Sequence, residues 1–105
     1  MTTSTIKIAI ADDHTAVRQA FEKALSVYDF LTVIFVAENG ADLLEKLQDV
    51  QPDVLLLDIN MPRLSGIEAL KIIHHNYPDT RILILTAFSD EVYVAQCLEY
   101  GINGF

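Results

Sequence analysis

Basic residues are scarce in this chain. Seven lysines and arginines face fifteen aspartates and glutamates, a formal net charge of −8 at pH 7. An acidic surface repels a phosphate backbone, so this segment is not expected to bind nucleic acid directly. Tryptophan is absent and Cys97 is the single cysteine. One cysteine excludes an internal disulfide and fits a reducing compartment, so a cytoplasmic location is expected. No apolar run is long enough to span a bilayer. Met1–Thr5 has no basic region followed by a long apolar stretch, which excludes a secretory signal and reads as a frayed end. Three prolines and four glycines punctuate the chain without forming a low-complexity tract or an interdomain linker.

Apolar residues are plentiful, at 51%. That content argues for a packed domain, and 105 residues suit one core. The apolar residues fall in a strand–helix alternation. Strands are predicted at 6–11, 32–37, 53–59 and 81–86. Helices are predicted at 14–28, 41–50, from about 65 to before Pro78, and at 90–100. Helix 1 places Val17, Ala20, Phe21, Ala24, Leu25 and Tyr28 on one face, and Leu43, Leu44 and Leu47 do so in helix 2. Pro52 blocks continuation of helix 2. Ser65 and Glu68 have capping-box spacing, ahead of the buried stripe Ile67, Leu70 and Ile73. Gly101 fits a helix C′ position, and Asn103-Gly104-Phe105 reads as the start of a fifth strand. Alternating elements imply an α/β fold, a parallel sheet with helices on both faces and right-handed crossovers.

Three of the strands end on oxygen-bearing side chains. Ile6–Ala11 runs into Asp12-Asp13, Val54–Leu57 into Asp58, and Ile82–Leu85 into Thr86. Open α/β sheets place their sites beyond the carboxyl ends of the strands, so these residues should converge. Carboxylates held close disfavour joint ionisation, and a divalent cation relieves that cost. Mg²⁺ suits such an oxygen-rich pocket, helped by a main-chain carbonyl from the loop after Asp58. Capping of helix 1 by Asp12 or Asp13 accounts for one aspartate, but not for three at adjacent strand ends. Asp58 is also a candidate nucleophile, since carboxylates form acyl phosphates, and Thr86 could hydrogen-bond a phosphate oxygen. His14 lies beside the acidic pair, where it can tune the pocket. His74-His75 are helix neighbours that point apart, as solvated histidines do. Cys97 reads as a small core residue. Tyr93 and Tyr100 suit either a partner surface or core packing. No glycine-rich phosphate loop follows strand 1, which argues against nucleotide binding.

Taken in order, Asp12-Asp13, Asp58-Ile59-Asn60-Met61-Pro62 with Gly66, Thr86-Ala87 and Gly101-Ile102-Asn103-Gly104-Phe105 resemble the receiver domain of bacterial two-component response regulators. The wording around Asp58 and the Gly-Ile-Asn-Gly-Phe end are most similar to the LuxR/NarL type. The resemblance implies a doubly wound, flavodoxin-like sheet of order 2-1-3-4-5. It implies that Asp58 accepts a phosphoryl group from a sensor histidine kinase. It further implies that Asp13, Asp58 and the carbonyl of Asn60 ligate Mg²⁺, with Asp12 helping through water. Thr86 matches the switch hydroxyl and Phe105 the switch aromatic. The family's phosphate-contacting lysine lies three residues past that aromatic, beyond Phe105. On this reading residues 1–105 are a receiver domain cut within strand 5, without the fifth helix or the DNA-binding output domain. Self-association through the uncovered surface is then expected. The expected role is a signalling module that regulates transcription, not an enzyme. A phosphatase of the haloacid-dehalogenase type needs a general acid where Asn60 stands. A phosphate-independent interaction module would not require the aspartates.

Overall fold

The computed structural model describes residues 5–58 and 66–85. Within them the order is β1 (Ile6–Ala11), α1 (Thr15–Leu25), β2 (Leu31–Ala37), α2 (Gly40–Asp49), β3 (Val54–Asp58), α3 (Gly66–Asn76) and β4 (Arg81–Leu85). Every predicted strand and helix in this range is present, with ends moved by a few residues. Ile59, Asn60, Ser65, Thr86, the predicted fourth helix, Gly101 and the fifth strand with Phe105 lie outside the described residues.

The described strands form one parallel sheet of order β2-β1-β3-β4. One face carries Ala9, Ala11, Ala37, Leu55, Leu57, Ile82 and Ile84 against Leu43 and Leu47 of α2 and Ala69, Leu70 and Ile73 of α3. All of these are fully or almost fully buried. The other face sets Ile8, Ile10 and Leu56 against Phe21 and Leu25 of α1. Parallel strands are apolar on both sides because helices cover both, and β3 is buried from Leu55 through Asp58.

Coverage of the two faces is unequal. The predicted α1 stripe meets the sheet through Phe21 and Leu25, both half-buried as Val17 is, whereas Ala20 and Ala24 are exposed. No residue of α1 is fully buried. On the same face, β4 leaves Leu83 and Leu85 half-buried, so its continuous apolar sequence carries an alternating burial. Helix α1 also ends earlier than predicted. Ser26 forms the C-cap and its hydroxyl donates to the Lys23 carbonyl at 2.7 Å. Tyr28 then sits in the turn into β2, half exposed, with its ring 5.6 Å from that of Phe30.

Local signals set the remaining ends. Asn39 caps α2, its Oδ1 accepting from the Asp42 amide at 2.8 Å. Asp42 and Lys46 pair one turn apart on the same helix, 3.1 Å between charged atoms. Thr80 is buried before β4, and its hydroxyl donates to the Pro52 carbonyl at 3.0 Å. That bond ties the start of β4 to the start of β3. The edge strand β2 contains an irregularity: Ile8 pairs with Val33 but Ala9 pairs with Phe35. Ile34 is the extra residue, a β-bulge. It resets the alternation so that Val33 and Val36 share the α1 face while Phe35 and Ala37 share the other.

Candidate functional site

Strand register brings the carboxylates together. Ala11 pairs with Leu57 across β1 and β3, which sets Asp12 level with Asp58 on neighbouring strands. Parallel neighbours lie about 4.8 Å apart, within reach of both side chains. The Asp12 amide continues the ladder by donating to the Ala37 carbonyl at 3.0 Å. Asp12 and Asp58 are both buried, at 4% and 7% exposure. Asp13, past the strand end, is exposed.

Beyond Asp13 the chain turns into α1, and the turn is built on Asp12. Its Oδ1 accepts from the His14 amide at 2.8 Å, an Asx turn. The same oxygen accepts from His14 Nδ1 at 2.9 Å. Asp13 Oδ1 lies 3.0 Å from that nitrogen. His14 occupies the N-cap position of α1, with no side-chain capping bond. Thus neither aspartate caps the helix. Asp12 is held by a tight turn just before it, and Asp13 faces the imidazole.

One ligand atom from each of Asp12, Asp13, His14 and Asp58 lies within 4.8 Å of the others. The acids act on the imidazole in return. The hydrogen bond to Asp12, then the field of Asp13 and that of Asp12, hold His14 above its ordinary value of 6.5. Asp58 adds a smaller push in the same direction. Three carboxylates this close, two of them buried, form a site that attracts positive charge, and oxygen donors suit a hard cation such as Mg²⁺.

Arg18 is a neighbour that the sequence did not single out. Its Nη1 donates to the Asp12 carbonyl at 2.6 Å and its Nη2 to Thr15 Oγ1 at 3.1 Å. It stands one helical turn after His14, and that spacing is the signal that could have found it. The guanidinium is bound to main chain and hydroxyl at the rim. Of the residues expected at the site, Asp12, Asp13 and Asp58 come together, whereas Asn60, Thr86 and Phe105 lie outside the described residues.

The profile of the response regulator receiver domain matches residues 8–105. The chain belongs to the response regulator receiver domains. Its similarity to individual proteins agrees. It is 39% identical over 100 residues to the transcriptional regulatory protein LnrK of Bacillus subtilis, covering 95% of this chain and 46% of LnrK. It is 42% identical over 101 residues to the oxygen regulatory protein NreC of Staphylococcus epidermidis, covering 95% and 46% of the two chains. The chain therefore spans about half the length of the curated relatives it matches. Among solved structures, the signal receiver domain of a response regulator NarL from Mycobacterium tuberculosis superposes with a TM-score of 0.90 at 31% identity, over 97% of this chain and 82% of that one. The sheet order and the acidic cluster thus belong to a receiver domain of the NarL/LuxR type. No helix among the described residues of this receiver domain is long and apolar enough to cross a membrane.

Proposed function

We propose that this receiver domain is the phosphoacceptor of a two-component pathway, with Asp58 as the residue modified. The observation that carries the reading is the gathering of Asp12, Asp13 and Asp58 at adjacent strand ends. An Asp58 oxygen attacks the phosphorus of a phosphohistidine on a sensor kinase. The P–N bond breaks and its electron pair returns to the kinase imidazole. Asp13, Asp58 and the main-chain carbonyl of Asn60 would hold Mg²⁺, with Asp12 acting through water. When bound, Mg²⁺ supplies positive charge opposite the phosphoryl oxygens. Thr86 then hydrogen-bonds the phosphoryl group, and Phe105 follows as the switch aromatic. Residues 1–105 form the receiver part of a regulator whose separate output domain binds DNA, in keeping with its transcriptional relatives.

Incubation with acetyl phosphate and Mg²⁺ tests this directly. Intact-mass analysis should show one added phosphoryl group on the wild-type chain and none on Asp58→Asn, because an amide is not a competent nucleophile. Equal mass gain in both proteins would place the acceptor elsewhere.

A further inference from the structure

We infer that Asp42 and Lys46 of α2 form a clasp that takes the place of a neighbouring strand along the outer edge of β2, and that this clasp keeps a second copy of the chain from pairing there. Among the described residues β2 is the outermost strand on its side of the sheet. Its residues 33–36 are half-buried, whereas residues 8–11 of the interior strand β1 are buried throughout.

The backbone bonding shows what the clasp covers. The Ala37 carbonyl accepts from the Asp12 amide, so it faces β1. Directions alternate along a strand, so the Val36 carbonyl and the Glu38 amide face the outer edge. Both are met by α2. Lys46 Nζ donates to the Val36 carbonyl at 2.5 Å, and the Glu38 amide donates to Asp42 Oδ2 at 3.4 Å. That same Oδ2 lies 3.1 Å from Lys46 Nζ, which closes the circuit. In a parallel ladder, one residue of the next strand makes the same pair of bonds. Its N–H donates to one carbonyl, and its C=O accepts from the amide two residues further on. Here a helical i,i+4 pair supplies that donor and that acceptor. The bond from Glu38 is long, so Lys46 carries most of the clasp. Asn39 positions it, because its Oδ1 accepts from the Asp42 amide at 2.8 Å and fixes the start of α2.

The strand's composition identifies what is kept out. Leu31–Ala37 reads LTVIFVA, with no charge, proline or glycine. Segments of that kind pair with copies of themselves. Exposed edges are ordinarily blunted by lysines and by bulges, and β2 has both, Lys46 at its end and the bulge at Ile34.

The test uses the full 105-residue chain. Sedimentation equilibrium compares wild type with Lys46→Met, which keeps the stem but loses the donor, and Lys46→Arg, which keeps a donor. Lys46→Met should raise the self-association constant by about tenfold or more, the scale of one backbone hydrogen-bonding group freed for a new partner, even though it makes the chain more acidic. Lys46→Arg should match wild type. Adding Thr32→Lys, which puts a charge on the exposed position of β2, should return Lys46→Met to the wild-type constant. In Lys46→Met the Glu38 amide should exchange with solvent more slowly as concentration rises. An association constant unchanged by Lys46→Met would overturn the clasp. Association that rises but ignores Thr32→Lys, or that leaves Glu38 exchange independent of concentration, runs through another surface and overturns it as well. Should circular dichroism show Lys46→Met unfolded, Lys46→Gln, whose amide falls one bond short of the Val36 carbonyl, carries the same comparison.

Discussion

Asp58→Asn should make this protein more stable while removing its proposed chemistry. The three carboxylates of the site lie within 4.8 Å of one another, atom to atom, and Asp58 is only 7% exposed. Two like charges at that limit repel by about 0.9 kcal/mol in water and about 3.5 kcal/mol at an effective dielectric of about 20. Asp58 faces two such neighbours, and His14, when protonated, offsets part of that repulsion. Neutralising Asp58 should then stabilise the fold by about 1–2 kcal/mol when no divalent cation is present, the usual direction when a functional site is relieved of strain. For a domain of this size each kcal/mol is worth about 4–8 °C in Tm.

Urea unfolding followed by far-UV circular dichroism, with chelator present, measures the difference. Repeating it with Mg²⁺ separates electrostatic relief from a packing effect. A cation at ten times its Kd stabilises the native wild type by about 1.4 kcal/mol, and the asparagine variant, holding it more weakly, gains less. The gap should therefore narrow or close. A variant less stable than wild type in chelator, or a gap that Mg²⁺ leaves untouched, would refute the claim that carboxylate repulsion is stored at this site.

Three further outcomes are expected. Leu47→Ala, on the closed α2/α3 side, should cost about 2–5 kcal/mol, whereas Phe21→Ala, on the half-covered α1 side, should cost about 1–2 kcal/mol; urea midpoints in the reverse order would contradict the difference in burial. His14 should titrate by NMR above 6.5, and Asp12→Asn should bring it down; because the folded value is raised, its small, salt-screened stabilisation is fully present below pH 6.5 and fades as pH rises through the folded value, so a midpoint unmoved by Asp12→Asn would be inconsistent with the hydrogen bond. Self-association through the α1 side of the sheet should appear in sedimentation equilibrium at high micromolar concentration and weaken in Leu83→Lys, whose parent leucine is half-buried there; a monomer throughout that range would remove this surface from consideration.

Much of the architecture was legible because parallel strands leave a strong trace. A strand covered on both faces must be apolar almost throughout, so Ile6–Ala11, Val54–Leu57 and Ile82–Leu85 stood out, and each run ended at the point where oxygen-bearing residues begin. Helical spacing showed which side of α1 faces the sheet. It carried no information about what else covers that face, and so Ala20 and Ala24 lie exposed while Phe21 and Leu25 are only half-buried. The bulge at Ile34 was likewise hidden. Thr32–Ala37 is β-branched, aromatic or alanine at every position, and an inserted residue leaves no mark on such a run.

The entry to α1 shows why a site is harder to read than a strand. An acidic pair ahead of a helix ordinarily signals a cap, which contributes about 1 kcal/mol to helix stability. Here the Asp12 amide extends the strand ladder to Ala37, so the helix starts two residues after Asp13, at Thr15. The cap position falls to His14, which makes no side-chain capping bond. Asp12 spends its Oδ1 on the His14 amide and ring instead of on the first turn of the helix. A conventional cap is given up, and three carboxylates are crowded against an imidazole. Local preference and structure disagree at the turn where the proposed chemistry lies, which is where such conflicts are expected in a functional protein. The conflict also explains the division between what was foreseen and what was not. Carboxylate convergence and the nearness of His14 to the acidic pair follow from the sequence alone, whereas the N-cap position of His14 and its hydrogen bonds to Asp12 depend on where one helix begins.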